Sequence, residues 1–144
     1  MARILIVDDN AVCLMVAAHM VRTLGHETVL TDNAPDALRL FTDSLAVDLV
    51  LMDWRMPEVD GVQATRRLRQ LEVEDGTPRV PIIAMSASAM DVDRRRYLEA
   101  GMDDLLAKPL TPKTTREILE IWLERPRSPI LNPSRLSRVE HTPG

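Results

Sequence analysis

Four short apolar runs in this chain each stop at a residue that can carry or handle charge, and parallel strands are the arrangement that makes sense of all four. Ile4-Leu5-Ile6-Val7 leads into Asp8-Asp9, and Leu49-Val50-Leu51-Met52 into Asp53. Ile82-Ile83-Ala84-Met85 leads into Ser86, and Leu105-Leu106-Ala107 into Lys108-Pro109. Runs apolar at every position are strands covered on both faces, as in α/β sheets. Laid side by side in one direction, they bring Asp8, Asp9, Asp53, Ser86 and Lys108 to the carboxyl edge of one sheet. That edge is where open α/β sheets bind ligands.

The segments between the runs carry helical periodicity, so β and α units alternate. A first helix is expected from Ala11 to Leu24, with Asn10 as its cap and Gly25 as its stop. Thr28-Val29-Leu30-Thr31 reads as the second strand, and the helix after it sets Ala37, Leu38 and Phe41 on one face. The third helix follows Asp60-Gly61 with Ala64, Leu68 and Leu71 in one stripe, and the fourth runs from Ala89 to Ala100 and stops at Gly101. The fifth starts with Thr111 as cap and Pro112 in the first position, and turns Ile118 and Trp122 inward. The pattern predicts one doubly wound parallel sheet over residues 1–124.

Length and charge limit what such a domain does. At 144 residues the chain holds one domain of ordinary size, and aromatics make up only 3%, so the core rests on aliphatic residues and Met. A lone Cys13 excludes an intramolecular disulfide and suits a reducing compartment. No apolar stretch approaches the roughly 20 residues that span a bilayer, and Met1-Ala2-Arg3 runs into the first strand without a signal-peptide pattern. The expectation is a soluble cytoplasmic protein. The net charge is −4, and residues 125–144 carry four Arg against one Glu, leaving −7 on residues 1–124. An acidic body argues against nonspecific nucleic-acid binding, which needs a basic face. The 125–144 tail is basic and broken by Pro126, Pro129, Pro133 and Pro143, which predicts an extended segment with one short helix opened by Asn132-Pro133.

Three acids beside one lysine suit a divalent cation together with a phosphoryl group. Like charges this close raise one another's pKa unless a cation is present. Mg²⁺ is the natural occupant, because it prefers carboxylate oxygen and commonly bridges to phosphoryl oxygens. Lys108 would hold a phosphoryl oxygen and the Ser86 hydroxyl would hydrogen-bond to another. Asp8 and Asp9 form an adjacent metal-binding pair, which leaves Asp53 as the better candidate for the nucleophile. Taken singly, each residue has a plainer reading: a helix cap, a strand-end acid, a solvated hydroxyl, a loop lysine. The conjunction of four strand ends is what points to chemistry.

The motifs ILIVDDN, DLVLMDWRMPEVDG, PIIAMSASAM and AGMDDLLAKPL, in this order and spacing, resemble the receiver domains of response regulators over Ala2 to Glu124. The resemblance implies a flavodoxin-like sheet of five parallel strands in the order 2-1-3-4-5 with five helices. It implies that Asp53 is phosphorylated in a magnesium-dependent reaction, that Asp8 and Asp9 are metal ligands with the Arg55 backbone carbonyl beside them, and that Ser86 and Lys108 contact the phosphoryl group. It further implies a cis Lys108-Pro109 bond. The phosphodonor would be a histidine kinase or a histidine phosphotransfer protein, and output would pass to a downstream protein target or onward to another histidine.

Several positions individualise the chain. Leu105 stands where many receivers carry Tyr or Phe, and Leu cannot reproduce a ring's hydrogen bond. Ser86 replaces a commoner Thr. Arg55 and Ser88 flank the site, and neither is suited to orienting an attacking water, which predicts slow hydrolysis of an aspartyl phosphate. The first helix is apolar around its circumference, from Ala11 through Val12, Met15 and Val16 to Val21. Either the fifth helix and the tail cover it, or it presents a docking patch to a helical phosphodonor. Trp54 is expected to wall the site, and Arg94-Arg95-Arg96 to form a solvated face. The histidines and Cys13 lack ligand spacing. A phosphorylation-independent interaction adaptor is the alternative reading, and Leu105 leans towards it. A small-molecule hydrolase is disfavoured, because such enzymes resemble Asp-x-Asp after the first strand and this chain has Asp8-Asp9-Asn10.

Overall fold

A computed structural model describes residues 2–42, 46–54, 61–87 and 94–124. The expected fourth helix falls partly outside them, as do the 125–144 tail, Arg55 and Ser88. The described elements alternate throughout. They are β1 (Arg3–Val7), α1 (Ala11–Thr23), β2 (Glu27–Thr31), α2 (Ala34–Thr42), β3 (Leu49–Asp53), α3 (Gly61–Asp75), β4 (Ile82–Ser86), α4 (Arg94–Ala100), β5 (Asp104–Ala107) and α5 (Pro112–Leu123). All pairings are parallel, in the order β2-β1-β3-β4-β5, as expected.

The strict two-residue period of the strands splits the core into two layers. Leu5, Val7, Val50, Met52, Ile82 and Ala84 face α2, α3 and α4, where Ala37, Ala64, Leu68 and Tyr97 meet them. Ile4, Ile6, Leu49, Leu51, Ile83 and Met85 face α1 and α5, where Ala17, Ala18, Val21 and Leu119 meet them. Both faces of β1, β3 and β4 are therefore dry, which is why their sequences are unbroken apolar runs. Burying one such side chain contributes about 1.5–3 kcal/mol. These layers hold the strand ends in place.

Caps begin the helices where polar residues stop the strands. The Asn10 side chain accepts from the Cys13 N–H at 3.0 Å, and Thr111 accepts from the Thr114 N–H at 3.2 Å with Pro112 at the helix start. Asn33 does the same for Asp36 at 2.7 Å. Each satisfies a backbone donor that a helix N-terminus leaves without an internal partner. The expected stripe of α3 is buried at Ala64, Leu68 and Leu71, and Ile118 and Trp122 of α5 lie half-buried against the α1 side of the core.

The first helix is covered on part of its circumference. Ala17, Ala18 and Val21 meet the sheet, and Leu14 and Met20 pack against the same core layer as α5. Val12 and Met15 stand out at 72% and 64% exposure, so α5 does not reach them.

Candidate functional site

The site is built by register. Val7 pairs with Met52, Asp53 with Met85 and Ser86 with Ala107, so residues 8, 53, 86 and 108 leave the sheet at one edge. The Lys108 N–H donates to the Ser86 carbonyl at 2.8 Å, and the Trp54 N–H to the Met85 carbonyl at 2.8 Å. The ladder thus continues one residue past the strands and fixes the backbones that carry the polar groups.

Asp8, Asp9 and Asp53 each direct a carboxylate oxygen into one cluster, with those oxygens within 4.8 Å of one another. Asp8 is fully buried, Asp53 nearly so, and Asp9 is exposed. The Asn10 N–H donates to Asp8 Oδ1 at 2.9 Å, which sets the Asp8 carboxylate. Lys108 Nζ reaches Asp8 Oδ2 at 2.8 Å and Asp53 Oδ1 at 3.3 Å. Lys108 follows a strand end and precedes a cis Lys108-Pro109 bond, as expected from the resemblance.

Among the described residues, one ammonium faces three carboxylates. Burial and then the Asp8 charge raise the Asp53 pKa from 3.8 to about 7, although Lys108 opposes both. Burial alone would lower the Lys108 pKa, but its hydrogen bond to Asp8 and the Asp53 charge outweigh burial and raise it. The lysine therefore stays charged while Asp53 sits under electrostatic pressure. Three hard oxygen donors with excess negative charge fit a divalent cation, which would relieve that pressure.

Four of the five expected residues meet, Asp8, Asp9 and Asp53 in the cluster and Lys108 bridging two of them, while Ser86 is buried at the end of β4, one residue past the partner of Asp53. Arg55 lies outside the described residues. Gly61 is a further requirement that sequence reading treated only as a helix start. A Cβ there would lie 2.2 Å from the Asp53 carbonyl oxygen, so α3 can begin against the Asp53 backbone only with glycine. The Asp60-Gly61 pair marks the helix start in the sequence, but the close approach comes from tertiary packing.

Fold and cluster together define a class: a doubly wound α/β domain with an acidic, lysine-bridged site at the carboxyl edge of its sheet. The family model for the response regulator receiver domain matches residues 4–120, and the chain belongs to that family. Its receiver domains serve two-component and phosphorelay signalling as phosphoacceptors. Among similar proteins is the sensor protein GacS of Pseudomonas syringae pv. syringae, 37% identical over 120 residues, which cover 83% of this chain and 13% of that protein. The chain thus spans about an eighth of the length of that relative. The crystal structure of the receiver domain of the Pseudomonas aeruginosa sensor histidine kinase PA1611, with a magnesium ion coordinated in its active-site cleft, is 40% identical. It matches with a TM-score of 0.75 over 86% of this chain and 98% of that one. The co-crystal structure of the Saccharomyces cerevisiae histidine phosphotransfer protein Ypd1 and the receiver domain of its downstream response regulator Ssk1 also matches. There the TM-score is 0.77 at 25% identity, over 84% of this chain and 88% of that one. Among the described residues no helix is long and apolar enough to cross a membrane.

Proposed function

We propose that this chain accepts a phosphoryl group from a phosphohistidine onto Asp53, with Mg²⁺ held by Asp8, Asp9 and Asp53. The Arg55 carbonyl completes that set as an expectation from the family resemblance. The observation that carries the reading is the lysine-bridged carboxylate cluster, whose excess negative charge suits a cation and whose most pressured member is Asp53. Magnesium, when bound, neutralises the carboxylates and the incoming phosphoryl oxygens. An Asp53 carboxylate oxygen then forms a bond to phosphorus as the histidine N–P bond breaks, and the electron pair returns to the imidazole nitrogen. Lys108 is placed to hold a phosphoryl oxygen, and Ser86 to donate its hydroxyl to another. The self-modifying receiver is a substrate of this chemistry, not a turnover enzyme.

The donor fits a histidine kinase or a histidine phosphotransfer protein, and the exposed Val12 and Met15 of α1 supply an apolar docking patch beside the site. Residues 1–124 form the receiver and residues 125–144 a basic tail. Output through a downstream protein or onward phosphotransfer, without direct nucleic-acid or membrane contact, completes the reading. It applies whether the receiver acts alone or as part of a longer hybrid kinase.

Intact mass after incubation with phosphoramidate tests the chemistry. The expected result is one phosphoryl gain, dependent on Mg²⁺ and absent in Asp53→Asn. A gain that persists in that variant, or that ignores magnesium, contradicts the assignment. The docking patch is checked by Met15→Glu, which should slow transfer from a phosphorylated histidine phosphotransfer protein at least tenfold and leave the phosphoramidate reaction unchanged.

A further inference from the structure

The two outer strands of the sheet are finished differently. β5 opens with Asp104, whose Oδ2 accepts from the Trp122 indole N–H at 2.8 Å, and is followed by Lys108-Pro109. Charges and prolines on an edge strand keep it from pairing with another chain. β2 lacks both between its ends. It runs in unbroken register with β1, and Thr28-Val29-Leu30 form its centre. No strand lies on its outer side among the described residues. The Glu27 N–H donates to the Ala2 carbonyl and the Asp8 N–H to the Thr31 carbonyl, so Glu27, Val29 and Thr31 turn their peptide groups to β1. Thr28 and Leu30 therefore turn theirs outward.

Charge is arranged along the same edge in two opposed pairs. Val29 packs against the α2 side of the core and Leu30 against the α1 side. The two-residue period then puts Glu27 and Thr31 on the α2 face, and Leu5 and Val7 put Arg3 there too. At the amino end of β2, Arg3 Nε meets Glu27 Oε2 at 3.3 Å, and beside its carboxyl end Arg39 of α2 pairs with Asp36. These four side chains are between 41% and 66% exposed. A groove of about 340 Å³ opens at the second pair, lined by Leu30, Thr31, Asp36, Arg39 and Leu40. On the α1 face the Thr28 hydroxyl accepts from Arg22 Nε at 2.8 Å, which ties that side chain back and leaves the peptide group on the edge.

We propose that the outer edge of β2 docks a second copy of this chain, paired antiparallel about a two-fold axis at Val29. Thr28 of one copy then exchanges main-chain hydrogen bonds with the partner's Leu30, and the symmetry repeats them. The same axis lays Glu27 opposite the partner's Thr31, at the mouth of the partner's groove. Arg3, Glu27, the partner's Arg39 and the partner's Asp36 then alternate in sign. An extended peptide of any sequence takes the hydrogen bonds alone. The chain's own Arg3–Glu27 pair is the complement of its Asp36–Arg39 pair, and that selects a second copy. Antiparallel pairing points the two carboxyl edges in opposite directions, so both Asp53 sites stay open. One strand edge is a small interface, so the dimer is weak and forms at high local concentration.

Sedimentation velocity of the full chain tests the surface from about 10 μM to about 1 mM, the range in which weak interfaces assemble. Wild type should pass from one chain to two. Glu27→Arg and Arg39→Glu should each weaken association roughly tenfold, because like charges then face each other at both contacts. Mixed one to one, the two variants should recover wild-type association to within about threefold, since the mixed dimer sets opposite charges at both contacts. Amide exchange in wild type needs no variant. The Thr28 and Leu30 amides should slow as concentration rises, while Val29, already bonded to β1, should not change. A wild type that stays one chain at the highest concentration overturns the proposal. So does association without slowing at Thr28 and Leu30, or a mixture of the variants that recovers nothing.

Discussion

Two clusters of buried charge sit at opposite edges of the same sheet, and they are built to opposite rules. At the amino edge, Arg69 Nη1 meets Glu72 Oε1 at 2.9 Å and Arg69 Nη2 meets Asp103 Oδ2 at 2.8 Å, while Arg79 Nη2 meets Asp103 Oδ1 at 2.8 Å. The remaining acceptors are taken by backbone: Glu72 Oε2 by the Val80 N–H at 2.7 Å, and Asp103 Oδ2 also by the Ile82 N–H at 2.9 Å. Two cations face two anions, and α3, the start of β4 and the start of β5 are clamped together. At the carboxyl edge, Asp8, Asp9 and Asp53 meet one cation among the described residues, Lys108. Both have a buried carboxylate at their centre, Glu72 in one and Asp8 in the other. Balance separates a structural cluster from one poised to recruit a cation and a phosphoryl group.

The largest effect that could break this contrast is at the clamp. Arg69→Ala removes the cation beside the 3%-exposed Glu72 and one partner of Asp103, and losing one partner of a buried pair costs roughly 3–5 kcal/mol. Urea unfolding should show a loss of that order. A loss below about 1 kcal/mol would mean that the clamp is solvated and the contrast misplaced.

Removing charge from the other cluster should act with the opposite sign. Asp53 titrates at about 7 in the folded protein against 3.8 ordinarily, so the folded state binds the proton more tightly than the unfolded chain. That contribution to stability is full below pH 4 and is lost as pH rises through 7. Metal-free wild type should therefore weaken between pH 4 and pH 8. Asp53→Asn should lack that slope and be more stable at pH 8 by roughly 1–3 kcal/mol. Unfolding curves at several pH values check both, and a destabilised Asp53→Asn at pH 8 would contradict the charge imbalance.

The smallest stability effect sharpens the comparison. Asp9 is exposed, so Asp9→Asn should shift metal-free stability by no more than about 0.5 kcal/mol. It should nevertheless weaken Mg²⁺ binding at least tenfold, as followed by titration of Trp fluorescence. Equal magnesium affinity would remove Asp9 from the ligand set.

The carboxyl edge was legible in the sequence because strand ends announce it: each apolar run stops at the residue that matters, and parallel register alone brings Asp8, Asp53, Ser86 and Lys108 together. The amino edge was not. Arg69 and Glu72 look like ordinary solvated charges on α3, and Asp103, the other partner of Arg69, is 34 residues away from it, so only packing reveals the clamp. Gly61 was illegible for a related reason, since it acts through a tertiary neighbour, the Asp53 carbonyl. The circumference of α1 was read correctly as more apolar than one buried face requires, but which of its residues remain exposed depended on how far α5 reaches.

Calorimetric titration of Mg²⁺ at pH 7, in buffers of different ionisation enthalpy, tests the central claim most directly, because it counts protons released as the metal binds. With Asp53 titrating at about 7, wild type should bind saturably and release roughly half a proton per metal at pH 7. The release should fall towards zero by pH 8.5 and vanish in Asp53→Asn. An absence of saturable binding, or a proton release that Asp53→Asn leaves unchanged, would contradict a site built around an unbalanced Asp53.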